Sequence, residues 1–143
     1  MPLNMLNGTF YQSMDVKGRM SFPTKLREII GEKFVITKGL SECLFVYSLE
    51  NFEKLAERLQ QLPLAKGLTV QRFFLASASD VEADKQGRIL VPQPLREFAQ
   101  LEKDIVVAGV SDRAEIWSRS KWEEFNSSIG EDAVMAALEG LDF

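Results

Sequence analysis

One fourteen-residue stretch occurs twice in this chain. Asp15-Val16-Lys17-Gly18-Arg19, running through Pro23 to Leu26-Arg27-Glu28, returns 69 residues later as Asp84-Lys85-Gln86-Gly87-Arg88, through Pro92 to Leu95-Arg96-Glu97, with seven of the fourteen positions identical. A self-match of that density fixes a tandem repeat before any single element is assigned. Leu6, Gly8, Phe10, Gln12 and Met14 alternate into the first copy. Met20 and Phe22 alternate out of it, as do Ile89 and Val91 out of the second, so each copy reads as strand, turn, strand. Gly18 and Gly87 supply a position of positive φ, and Asp15 and Asp84 accept backbone N–H bonds from the turns they open. Pro23 and Pro92 end the second strands, since proline cannot donate to a ladder. Arg19 and Arg88 therefore follow tight turns and stand at a defined angle.

The flanking segments repeat as well. The spacing predicts a helix over 24–30 stopped by Gly31, strands over 34–37 and 43–47 paired as a hairpin, and a helix carrying Phe52, Leu55, Ala56, Leu59 and Leu62 on one packing face. Pro63 ends that helix, and Leu62–Gly67 reads as a connector between a first unit, 1–66, and a second, 67–143, packed together. A helix over 69–76 presents Val70, Phe73 and Phe74 to the core. The second unit then repeats the order: strands over 79–81 and 89–91, a helix over 95–100, and strands over 105–109 and 114–118 at an offset of 70. Ser120 with Glu123 has the pattern of a capping box for the next helix, and Ser128 with Glu131 for a last one, bearing Val134, Ala137, Leu138 and Leu141. That tail has no counterpart in the first unit and is expected to dock on the core or on a neighbouring subunit. The class is mainly β with flanking helices, α+β.

Composition removes several function classes. With 143 residues, 45% of them hydrophobic, the chain can bury an ordinary core. No apolar run approaches a membrane span, and Met1–Met5 lacks a signal-peptide pattern. The single cysteine, Cys43, leaves no internal disulfide or cysteine-rich zinc site, and its apolar neighbours assign it to core packing. The absence of histidine excludes Ser-His and Cys-His catalysis, histidine metal sites and histidine pH switching. No cofactor motif or small-molecule substrate is apparent. A net charge of −4 argues against unspecific nucleic-acid binding, yet Asp15–Glu28 holds four basic residues against two acidic ones.

Both Asp-x-x-Gly-Arg motifs, Phe22-Pro23-Thr24-Lys25-Leu26-Arg27, Ile89-Leu90-Val91-Pro92 and Val107–Trp117 resemble the MraZ family, across nearly the whole chain from Leu6 to Phe125. The resemblance implies a double-split β-barrel of two swapped-hairpin units of AbrB type, combined as an internal pseudo-dimer. It implies a bacterial transcriptional regulator, cytoplasmic and nucleoid-associated, that binds short direct DNA repeats upstream of the division and cell-wall gene cluster, its own promoter included. The family assembles into closed homo-oligomeric rings. Asp15, Arg19, Asp84 and Arg88 match its DNA-contact motif. Departures are the Met1–Met5 extension, Gln86 where the first copy has Lys17, and the acidic Asp80 and Glu82 before the second turn.

Arginine suits such a position because its planar fork bonds guanine O6 and N7, or grips a phosphate. Lys17, Lys85, Lys25 and Arg27 are the expected phosphate contacts, with Asp15, Gly18, Asp84 and Gly87 shaping the turns. Two other roles stay open. Arg19 and Arg88 can serve as salt bridges fastening their turns, and Arg27 and Arg96 can pair with Glu28 and Glu97. An antitoxin-like interaction module and an acid–base enzyme using Asp15 and Asp84 are the competing function classes; the near-identical motifs disfavour the enzyme, because a catalytic pair needs unequal environments.

Overall fold

A computed structural model describes residues 5–142. Met1–Asn4, the bulk of the amino-terminal extension, lie outside the described residues. The first unit runs β1 (Leu6–Ser13), β2 (Arg19–Ser21), α1 (Thr24–Ile30), β3 (Lys33–Lys38), β4 (Leu44–Ser48) and α2 (Leu49–Gln60). A helix, α3 (Leu64–Phe74), leads to β5 (Ser79–Glu82), β6 (Arg88–Leu90), α4 (Gln93–Phe98), β7 (Asp104–Ser111), β8 (Arg113–Ser118), α5 (Arg119–Ser128) and α6 (Glu131–Ala137). The class is mixed α+β.

Six antiparallel strands form one sheet in the order β1-β7-β8-β4-β3-β5, and β2 pairs with β6 in a separate ribbon. The units exchange strands. Each keeps a hairpin, β3–β4 or β7–β8, while its leading strand crosses to the other unit's hairpin, β1 onto β7 and β5 onto β3. The register places a pseudo-two-fold axis between equivalent residues. Phe45 faces Glu115 at the β4–β8 junction, and Met20 faces Ile89 in the ribbon.

The sheet is covered on both faces, which is why its inner strands read as unbroken apolar runs rather than alternating ones. Phe34, Ile36, Leu44, Val46, Ile105, Val107, Ala114 and Ile116 point to the main core with Met20, Ile89, Phe22, Leu26 and Leu95 from the ribbon, α1 and α4. The intervening residues Phe45, Tyr47, Val106 and Trp117 meet Phe52, Leu55, Phe74, Trp122 and Phe125 in an aromatic layer under α2, α3 and α5. Cys43 belongs to that layer, fully buried, its thiol pushed far up by desolvation. Arg113 stacks on the Phe45 ring at 4.3 Å and pairs with Glu115 at 3.1 Å, so the axis at β4–β8 is lined by unlike groups.

Three local expectations change. Pro63 does not open a loop: it stands at the N-cap of α3, its fixed φ suiting helix entry, and Gly67 lies inside that helix with its N–H on the Pro63 carbonyl at 2.7 Å. A Cβ at Gly67 would come within 3.3 Å of the Leu62 carbonyl, so this glycine serves close packing between α2 and α3. The cap of α5 is Ser118, not Ser120; its hydroxyl accepts from Lys121 N–H at 3.2 Å, as Ser48 accepts from Asn51 at 3.1 Å at the head of α2. Ser118→Ala is therefore expected to cost about 1 kcal/mol of unfolding free energy, with Ser120→Ala near neutral, in urea titrations. Finally, the N-cap of α6 is Gly130, so neither Ser128 nor any other side chain caps it. Its Val134, Met135 and the following Leu141 are exposed, so the tail does not dock on the core.

Candidate nucleic-acid interface

The two turns are built alike from their aspartates. Asp15 N–H donates to the Arg19 carbonyl at 2.9 Å and Gly18 N–H to the Asp15 carbonyl at 3.0 Å, which closes the loop with Gly18 at φ 90°. The carboxylate fills the loop: Oδ1 accepts from the backbone N–H of Lys17 and of Arg19, each at 2.9 Å, and Oδ2 from Arg19 Nε at 2.9 Å. In the second turn Asp84 accepts from Gln86 N–H at 2.8 Å, Arg88 N–H at 2.9 Å and Arg88 Nε at 3.2 Å. Each arginine is thus fastened through Nε. Its Nη atoms have no hydrogen-bond partner among the described residues, and both side chains are about half exposed, at 46% and 44%. Fastening the turn thus leaves the Nη edge of each guanidinium unbonded.

Both carboxyls are held below the ordinary carboxylate range, first by the backbone N–H of Arg19 or Arg88. The folded turns therefore favour the ionised form. Their contribution is complete above the ordinary value near about 4 and is lost as pH falls below it. In acid titrations followed by thermal unfolding, Asp15→Asn with Asp84→Asn should flatten the fall in stability between about pH 5 and pH 3. A slope identical to that of the parent would mean the carboxyls are no more acidic in the folded chain.

The ribbon aims both arginines the same way. Directly opposite residues of an antiparallel pair share a face, so the register puts Arg19, Leu90, Ser21 and Arg88 together on one side, all exposed. Met20 and Ile89 anchor the other side in the core. Arg19 and Arg88 stand at opposite ends of that face, related by the pseudo-two-fold axis.

Each turn is also held by the other unit. Phe22 N–H donates to the Gly87 carbonyl at 3.0 Å and Val91 N–H to the Gly18 carbonyl at 2.9 Å. Arg27 donates Nε to the Phe22 carbonyl at 3.0 Å and lays its guanidinium against Gly87; Arg96 does the same with the Val91 carbonyl at 2.9 Å and Gly18. A Cβ on either glycine would overlap the guanidinium that crosses it. Arg27 is further engaged by Thr24 Oγ1 at 3.0 Å and by Glu32 at 3.1 Å, not by Glu28, and its side chain is only 16% exposed. Arg96 has no carboxylate partner among the described residues. Lys17, Lys25 and Lys85 are exposed and outside the ion pairs, open to an external anion.

These two bracing arginines were discoverable in the sequence, because both are among the seven identities of the repeat. Their target, the opposite turn, was not.

Two equivalent arginine-bearing turns, locked to each other, present both arginines on one exposed ribbon face of a tandem-repeat scaffold. The family model described as "MraZ protein, putative antitoxin-like" matches twice, at residues 5–70 and 74–141, and the chain belongs to the MraZ family. It is 53% identical over 126 residues to the transcriptional regulator MraZ of Caldanaerobacter subterraneus subsp. tengcongensis, covering 87% of this chain and 88% of that protein. It is 52% identical over 143 residues to the transcriptional regulator MraZ of Acetivibrio thermocellus, covering 96% of this chain and 100% of that one. A third relative of the same name, from Thermoanaerobacter sp., is 49% identical over 142 residues, 96% of this chain and 99% of its own length.

Proposed function

We propose that this chain is a transcriptional regulator, as its relatives are named, that acts by sequence-specific DNA binding and is not an enzyme. The observation that carries the reading is the pair of arginines fastened by Nε, with Nη atoms unbonded among the described residues, both half exposed on one ribbon face. A two-stranded ribbon fits the major groove, and each fork matches guanine O6 and N7. Lys17, Lys25 and Lys85 neutralise phosphates and set register, while Arg27 acts through the opposite turn more than on DNA itself. The reverse assignment, Asp15 and Asp84 as an acid–base pair, has no support, since both carboxyls shift the same way for the same reason.

In this reading the exchanged strands and ribbon are a double-split barrel of AbrB type, an internal pseudo-dimer with its units meeting near residues 66 and 67. The DNA is a set of short direct repeats upstream of the division and cell-wall genes, the chain's own promoter included. A closed homo-oligomeric ring in the cytoplasm, on the nucleoid, presents many weak heads to many repeats, and effective concentration makes them tight. The exposed apolar side of α6 suits self-association in such a ring.

The test is binding at fixed salt to duplex DNA from upstream of the chain's own gene, beside a scrambled duplex of equal length. Selective binding is expected. Equal binding to both, or none, returns the arginines to turn-fastening and leaves an antitoxin-like interaction module as the reading to pursue. Light scattering reports assembly: a monomer at micromolar concentration defeats the ring.

A further inference from the structure

We infer that the recognition face is chemically asymmetric along its length: Leu90 across the ribbon from Arg19, with Val16 on the turn that leads into Arg19, selects a thymine methyl next to the base which that arginine reads. This rests on the DNA-binding reading above. Val16 sits at the outer corner of the first turn and is 97% exposed; Leu90, 55% exposed, lies directly across the ribbon from Arg19. Side chains in that relation hold their Cβ atoms about 5 Å apart. The two residues come from different repeats, and the β2–β6 pairing brings Leu90 beside the arginine that Val16 precedes by three residues.

The scaffold does not require either of them. The equivalent positions in the other copy are Lys85 and Ser21, carried by a turn with the same aspartate bonds and by the same ribbon. One arginine therefore has a leucine across the ribbon and a valine on its turn, and the other a serine across the ribbon and a lysine on its turn. Among base edges in the major groove, the thymine C5 methyl is the apolar group a valine or leucine can cover, and guanine offers the acceptors for the neighbouring fork. Val16 is held by a turn already locked through Asp15, so the contact costs little ordering. A chain whose two ends read different chemistry lies on its site in one orientation.

The upstream duplex is compared with the same duplex carrying deoxyuridine for thymine, which deletes only the methyl groups. The parent protein should bind the deoxyuridine duplex about fourfold more weakly for each methyl group that the apolar pair would otherwise cover. Val16→Lys with Leu90→Ser installs residues that the other copy already carries, and this variant should bind both duplexes alike. Equal binding of the parent to both duplexes overturns the inference, as does a thymine preference undiminished in the variant. Failure of the parent to prefer upstream over scrambled DNA overturns the DNA reading itself, and this inference with it.

Discussion

Arg19→Ala and Arg88→Ala are each expected to weaken binding to the upstream duplex by about 5- to 150-fold at fixed salt, the range for removing one bidentate arginine–guanine pairing. Binding to scrambled DNA should change far less, so selectivity collapses before affinity does. The fold should survive both substitutions. The salt bridges removed are half exposed, and such pairs contribute about 0–1 kcal/mol. Arg19→Lys separates charge from shape, because lysine restores the cation without the fork and should recover phosphate affinity but not selectivity. Lys17→Ala should instead weaken binding to both duplexes alike and lower the salt slope by about 1. Unchanged selectivity in the two alanine variants, with a lowered melting temperature, would confine the arginines to holding their turns.

Gly87→Ala is expected to destabilise the chain by about 2–4 kcal/mol, the largest effect of any single methyl addition at the two turns. Two costs act together. Gly87 has φ 77°, where a Cβ is strained, and the new carbon would overlap the Arg27 guanidinium. That side chain cannot swing clear without giving up Phe22, Thr24 and Glu32. Arg27→Ala alone should cost less, and the pair should be less destabilising than the sum, because the second change removes the overlap and leaves the φ strain. Urea titrations of the four proteins measure this directly. Simple additivity would mean that Arg27 does not press on the opposite turn.

Local chemistry was legible wherever it is written in adjacent residues. The turns, their aspartate bonds, both hairpins and the core role of Cys43 follow from alternation, Gly placement and apolar runs. What escaped is what depends on a distant partner. β1 carries a polar-looking pattern because one side of it faces solvent, and nothing near Leu6–Ser13 announces that its ladder lies on β7, residues 104–111. Arg27 reads as an exposed helix cation because the other half of its packing, the glycine its guanidinium lies against, is in the other unit. Pro63 and Gly67 misled because a proline at a helix head and a glycine in a close crossing use the letters of a loop. Ser118 was the exception. It stands at the repeat offset from Ser48, and the repeat could have chosen it over Ser120.

The unlike groups along the axis between β4 and β8 make the two halves depend on each other. Two identical copies of the second half, paired as the halves are here, would set glutamate against glutamate where Phe45 now meets Glu115, a repulsive pairing of like charges. Two copies of the first half would set Phe45 against Phe45, with no Arg113 to stack on either ring. Joined in one polypeptide, neither half has to be its own mirror. Covalent linkage lets the chain place lock on one side of its axis and key on the other, so the halves fit each other better than either fits itself.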